Sequence, residues 1–153
     1  MQKILIIYAS MTGNTEVMAE IIEQSLKEEG LHVTVKEALR TKPKEMRKYD
    51  GVLLGAYTYE GGEIGDEFML FYEDMEQVNL TGKIMAVFGS GDTFYKDTFC
   101  VAVDTVTEKL SELGANVVLD GLKVDLVPVG EDEDRCWKFG KDFAEKVKEL
   151  IPS

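Results

Sequence analysis

Apolar positions along this chain follow two spacings that alternate with each other. Lys3–Ala9 opens with four consecutive aliphatics, Ile4-Leu5-Ile6-Ile7, as expected of a strand covered on both faces. From Asn14 to Glu29 the apolar residues Val17, Met18, Ile21, Ile22 and Leu26 recur at helical spacing, and Gly30 follows where a helix C-terminus favours positive φ. His32–Glu37 alternates as a half-buried strand, and the basic run LRTKPKEMRKYD reads as a connection with one short helical turn. Asp50–Tyr57 and Lys83–Gly89 are further strands, with helices predicted over Asp66–Val78 and Phe99–Leu113. Asn116–Val127 is a last strand, interrupted near Asp120-Gly121. A final helix over Asp132–Leu150 puts Trp137, Gly140, Phe143, Ala144, Val147 and Ile151 on its apolar face. Five strands alternate with four helices and one short helical turn. Short connections and right-handed crossovers then make a doubly wound parallel α/β sheet the economical fold, as a single domain over residues 1–153. Ligands of such sheets bind beyond the carboxyl ends of the strands, which directs attention to the loops after the first, third and fourth strands.

Charge narrows the class of partner. Twenty-nine acids against seventeen bases leave a formal charge of −12, which argues against nucleic acid or an anionic membrane. The acids are also unevenly placed. No lysine or arginine lies between Tyr49 and Gly82, whereas Asp50, Glu60, Glu63, Asp66, Glu67, Glu73, Asp74 and Glu76 do, which suggests a docking face for a basic partner. Cys100 and Cys136 fit no zinc or redox spacing and read as reduced thiols of a cytoplasmic protein. The N-terminus lacks the pattern of a secretory signal, the apolar runs are too short to span a bilayer, and His32 reads as a surface residue.

The candidate chemistry sits in the three loops. Ser10-Met11-Thr12-Gly13-Asn14-Thr15 follows the first strand and starts the first helix, where unpaired N–H groups and the helix dipole favour an anion. Ser10, Thr12 and Thr15 can add hydroxyl donors, and Gly13 lets the chain curl closely. The loop has no Gly-Lys-Ser/Thr for a nucleoside triphosphate and only one of the three glycines of a dinucleotide fingerprint. A single terminal phosphate held by neutral donors remains. The second loop, AYTYEGGEIGDE, offers Tyr57 and Tyr59 as a wall for a flat ring, unless one of them packs inward. In the third, GSGDTFYKDTFC, Gly91 permits close approach to the main chain, and Phe94 or Tyr95 can supply a second ring. Together the loops outline a pocket for a phosphorylated planar heterocycle.

On these motifs the chain resembles the flavodoxins over essentially its whole length. The family's phosphate loop, Ser/Thr-x-Thr-Gly-x-Thr, is matched throughout by residues 10–15. Its third loop is matched by Gly89-Ser90-Gly91-Asp92-Thr93-Phe94-Tyr95, Phe99-Cys100 and Ala102-Val103-Asp104, and its Thr-Trp/Tyr pair by Thr58-Tyr59. The fifth strand carries no long insertion, as in the short-chain, Bacillus-type branch. The resemblance implies a three-layer fold with a five-stranded parallel sheet in the order 2-1-3-4-5, and FMN as cofactor. Carried over position by position, residues 10–15 hold the phosphate, Tyr59 covers one ring face and Tyr95 the other. The backbone of Ser90, Gly91 and Asp92 meets the pyrimidine side, with Thr58, Glu60, Gly61, Phe99 and Cys100 completing the site. One departure stands out: Bacillus-type relatives tend to have Gly-Asp-Gly after the aromatic, where this chain has Glu60-Gly61-Gly62. In the family the peptide there turns over on one-electron reduction, and a glutamate at positive φ would cost about 1 kcal/mol or more.

The function implied is a low-potential one-electron carrier, monomeric and not an enzyme. It would pass electrons from a flavoprotein reductase (a ferredoxin/flavodoxin-NADP reductase-like donor) to acceptor oxidoreductases through an acidic face at Glu60, Glu63, Asp66 and Glu67. Carboxylates around the ring penalise its anionic reduced form by about 2 kcal/mol each at about 8 Å and an effective dielectric of about 20, less in salt. Two alternatives belong to other classes. A flavodoxin-like FMN reductase or ribonucleotide-reductase maturation flavoprotein would need a nicotinamide site or larger cavity. A receiver domain would need an acidic pair and a lysine where Ser10-Met11 and Pro128 stand.

Overall fold

In the computed structural model, residues 2–59, 62–94 and 96–152 are described. The strands are β1 (Lys3–Tyr8), β2 (His32–Glu37), β3 (Gly51–Gly55), β4 (Ile84–Gly91), β5 (Asn116–Val117) and β6 (Leu122–Asp125). The helices are α1 (Asn14–Glu28), α2 (Asp66–Asp74), α3 (Val101–Glu112) and α4 (Glu131–Leu150). All strand pairings are parallel, in the order β2-β1-β3-β4-β5, with β6 also paired to β4. β5 and β6 are thus two pieces of one interrupted fifth strand, and the expected order 2-1-3-4-5 holds.

The period of two along each strand sorts the core into two layers. Leu5, Ile7, Val52, Leu54, Met85 and Val87 face α2 and α3, packing on Phe68, Phe71, Val103, Val106 and Leu110. Ile4, Ile6, Leu53, Ala86 and Phe88 face α1 and α4, packing on Met18, Ile22, Leu26, Phe139, Phe143 and Val147. Both faces are covered, which is why the central strands read as unbroken apolar runs.

Several features differ from the sequence reading. The connection between β2 and β3 holds two short 3₁₀ turns, Ala38–Arg40 and Pro43–Lys48, instead of one. α2 stops at Asp74 and tightens into the 3₁₀ turn Met75–Gln77. The last strand ends at Asp125 because Leu126 adopts φ 58°, a left-handed conformation that no strand can contain. Trp137 was expected on the buried face of α4 but is 41% exposed: its place against α1 is taken by Gly140, whose missing Cβ lets Ser25 approach, while Ser25 Oγ donates to Trp137 O at 2.6 Å.

Candidate functional site

The first loop is shaped by its glycine. Gly13, at φ 89°, is the N-cap of α1, and no side chain caps that helix. Gly13 N–H donates to Ser10 Oγ at 2.9 Å, which closes residues 10–13 into a tight turn, and Val17 N–H donates to Gly13 O at 3.0 Å to start the helical ladder. The first N–H groups of α1 then have no acceptor within the helix. Thr15 is fully buried, its Oγ1 2.7 Å from Ser90 Oγ, so that one hydrogen bond ties the first loop to the third. Glu16, the acid nearest this helix end, accepts from Tyr8 OH at 2.8 Å. Burial, and then that bond, raise the Tyr8 phenol pKa above its ordinary value.

The second loop settles which tyrosine packs inward. Tyr57 is buried, and its OH donates to the Glu67 carboxylate; burial first and this bond second raise its pKa. Tyr59 stands edge-on to it, ring centroids 5.5 Å apart at 77°, and remains half-buried beside the cleft. Thr58 is held from two sides: its N–H donates to Ser90 O at 3.3 Å, and its Oγ1 accepts from Ala102 N–H at 2.9 Å. Glu63 O accepts from Tyr59 N–H at 2.8 Å, which folds the loop back on itself. Glu63 and Asp66 are exposed as a docking face requires, whereas Glu67 is half-buried and engaged by Tyr57. Glu76, from the same acidic block, pairs with Lys109 at 2.7 Å.

In the third loop β4 runs on to Gly91. Ser90 is buried, and Gly91 and Asp92 are half-buried at the cleft. A Cβ on Gly91 would meet Cys100 N and Sγ at 2.9 Å and the Phe99 ring at 3.3 Å. Phe99 and Cys100 therefore fill the space behind the loop and do not line the cleft. The Cys100 thiol lies 3.7 Å from Gly89 O and Val124 O, and burial pushes its pKa up to about 12. Phe94 is 81% exposed and not in the cleft wall. Glu60, Gly61 and Tyr95 lie outside the described residues.

These loops enclose a cleft of about 460 Å³ lined by Met11, Thr12, Asn14, Tyr57, Thr58, Tyr59, Ser90, Gly91, Asp92 and Leu126. No lysine or arginine is among these residues. An uncapped helix N-terminus, neutral hydroxyls and an apolar, partly aromatic wall fit a flat ring bearing one phosphate. Leu126 is the member that sequence reasoning missed. The available signal was Leu126-Val127-Pro128-Val129, an apolar run where a strand-to-helix loop is ordinarily polar. Among the described residues no cluster of histidine, cysteine and carboxylates is placed to hold a metal, and no helix is long and apolar enough to cross a membrane.

The flavodoxin family model matches residues 6–140. The chain belongs to the flavodoxin family. A Bacillus subtilis (strain 168) protein named "Probable flavodoxin 2" is 45% identical over 147 residues, covering 95% of this chain and 97% of that one. The flavodoxin of Maridesulfovibrio salexigens is 37% identical over 150 residues, covering 96% of this chain and 100% of that one. The crystal structure of oxidised flavodoxin 2 from Bacillus cereus superposes with a TM-score of 0.91 at 46% identity, covering 94% of this chain and 99% of that one. Flavodoxins are FMN-binding electron-transfer proteins rather than enzymes, and the cleft described above has the donors and walls for that cofactor.

Proposed function

We propose that this flavodoxin is a cytoplasmic, monomeric, low-potential one-electron carrier whose FMN phosphate is held by Ser10, Met11, Thr12, Gly13, Asn14 and Thr15. Tyr59 lies against the ring. Thr58 and the main chain of Ser90, Gly91 and Asp92 meet its pyrimidine edge, with Phe99 and Cys100 as backing and Glu60, Gly61 and Tyr95 assigned by the family motif. When bound, FMN supplies the one-electron redox chemistry. The protein's part is to orient and tune it. Backbone N–H groups at the start of α1 and the hydroxyls of the turn neutralise the phosphate without a cation. Tyr59, Met11 and the β4 end exclude water from the ring, and the Asp92 carboxylate opposes any added negative charge in the cleft.

The observation that carries this reading is the glycine-capped N-terminus of α1 opening beside an apolar-walled cleft with no basic lining residue among the described residues. Titrating the apoprotein with FMN and with riboflavin tests it. Tight one-to-one binding of FMN and much weaker binding of riboflavin are expected. Equal affinities would remove the phosphate cup, and no binding of either would remove the carrier.

The electron donor and acceptors are basic-faced redox proteins, docked on the exposed acids Glu63 and Asp66 together with Glu60. Glu67 contributes charge from a more buried position. Reversing Glu63 and Asp66 to lysine should slow electron transfer from a flavoprotein reductase several-fold at low salt and little at high salt. Rates indifferent to both charge and salt would move the docking face elsewhere.

A further inference from the structure

Leu126 is a bulky side chain in a left-handed backbone conformation, φ 58°, at the mouth of the cleft. Among the described residues only Cys100 shares this irregularity, and Cys100 is buried. Leu126 is 48% exposed, so burial does not explain why a leucine occupies the place that glycine or asparagine would take without strain. Strain of this kind persists where the surrounding structure imposes it. Here three hydrogen bonds do so. Leu126 N–H donates to Gly91 O at 2.8 Å, Thr93 N–H donates to Asp125 Oδ1 at 3.0 Å, and Thr93 Oγ1–H donates to Asp125 Oδ2 at 2.9 Å. They join the end of β6 to the end of β4, where Gly91 and Asp125 are also paired in register. The fourth βα connection is thereby locked to the third. The turned backbone sends the Leu126 side chain into the cleft wall that Gly91 and Asp92 share. Pro128, two residues on, restricts Val127 to extended backbone and stiffens the segment.

We propose that Leu126 is a ring-contacting residue of the cofactor site, a fourth wall that shields the ring edge beside Gly91 and Asp92 from water, with Asp125 as the positioning residue that holds this wall to the third loop. The proposal rests on the FMN reading above and adds to it a binding residue outside the three loops that carry the family motif.

Leu126→Gly separates a binding role from a structural one, because it removes the side chain and relieves the strained backbone together. The apoprotein of L126G should melt at or above the wild-type temperature. Its dissociation constants for FMN and for riboflavin should both rise by about tenfold, the effect of one partly covered leucine. Leu126→Ala, which keeps a Cβ in the left-handed conformation, should lose affinity to a similar extent without the gain in melting temperature. FMN affinity within twofold of wild type in both variants would overturn the proposal. So would a lower melting temperature of the L126G apoprotein, which would make the leucine structural, or a loss confined to FMN, which would place it at the phosphate. Wild-type protein that binds neither flavin would overturn the carrier reading as well, so the two failures are told apart by the wild-type titration alone.

Discussion

At the end of the sheet where the strands begin, α1 and α3 finish in the same way. Gly30 N–H donates to Lys27 O and Leu31 N–H to Leu26 O, at 2.9 and 3.3 Å; Gly114 N–H donates to Ser111 O and Ala115 N–H to Leu110 O, at 3.1 and 3.0 Å. Each helix closes on its own carbonyls around a glycine at positive φ, as such helix ends favour. At the other end of the sheet none of the four helices is capped by the side chain of its own N-cap residue, although Thr58 Oγ1 takes the Ala102 N–H of α3, and Cys100 and Leu126 hold positive φ without being glycines. One end satisfies its backbone internally. The other leaves donors open and irregular backbone fixed in place.

The open end is itself graded. α4 begins with Glu131, Asp132, Glu133 and Asp134, and α2 with Asp66 and Glu67, so carboxylates offset the positive ends of their dipoles. α1 begins with Asn14 and Thr15, and its single first-turn acid, Glu16, is turned to Tyr8. An incoming phosphate therefore meets less repulsion at α1 than at α2 or α4. The net charge of −12 makes that local neutrality matter, because elsewhere the surface disfavours an anion.

The largest break in this arrangement should come from Gly89, inside β4 just before the cleft. A Cβ there would lie 2.0 Å from Ala56 O and 2.7 Å from Val103 Cγ2, so β3 and α3 must both give way. Gly89→Ala should lower apoprotein stability by about 3 kcal/mol or more in urea unfolding and abolish FMN binding. A variant of near wild-type stability would show that the open end is more pliable than its packing indicates.

Next comes the bond between the first and third loops. Thr15→Val keeps the shape but strips the Ser90 hydroxyl of its partner in a buried setting, which should cost about 1–3 kcal/mol. Adding Ser90→Ala should recover part of the loss, because both polar groups are then gone. If the double variant is merely the sum of the singles, the two loops are not coupled through this hydroxyl pair.

The closed end was also the readable one. Gly30 stands where a helix C-terminus favours positive φ, and unbroken apolar runs in the central strands, with alternation in His32–Glu37, indicated the strands and the break near Asp120-Gly121, because regular backbone covered on one or both faces imposes a pattern on its side chains. At the open end the residue types of the 10–15 loop indicated the tight turn that Gly13 and Ser10 make, and hydroxyls and glycine without lysine are the basis of the phosphate reading proposed above. What the pattern could not convey was direction. Tyr57 and Tyr59 are two residues apart and equally aromatic, and it is the Glu67 carboxylate behind the loop, with the space left by Gly65, that takes Tyr57 inward. Phe99 and Cys100 belong to the motif but lie behind the loop, because the space Gly91 leaves is on that side. Leu126 escaped because its conformation is imposed by Gly91, Thr93 and Asp125, contacts between two loops that no local spacing encodes.

Two glycines sharpen the contrast without the confounding effect of packing. Gly13 and Gly30 sit at opposite ends of α1 with φ 89° and 86°, and a Cβ at either would have nothing within 4 Å. Alanine at each should therefore cost the apoprotein the same amount, about 1–2 kcal/mol for a left-handed alanine, with no steric contribution at either site. FMN affinity should divide them. Gly13→Ala disturbs the turn in which Gly13 N–H meets Ser10 Oγ, and should weaken FMN binding several-fold with less effect on riboflavin. Gly30→Ala should leave both affinities where they were. Unfolding must be followed on the apoproteins, since bound cofactor would add its own stabilisation to the variant that still binds it. Equal loss of affinity in the two variants would mean that α1 responds as a whole to either end, and the division of labour between the two ends of the sheet would not hold.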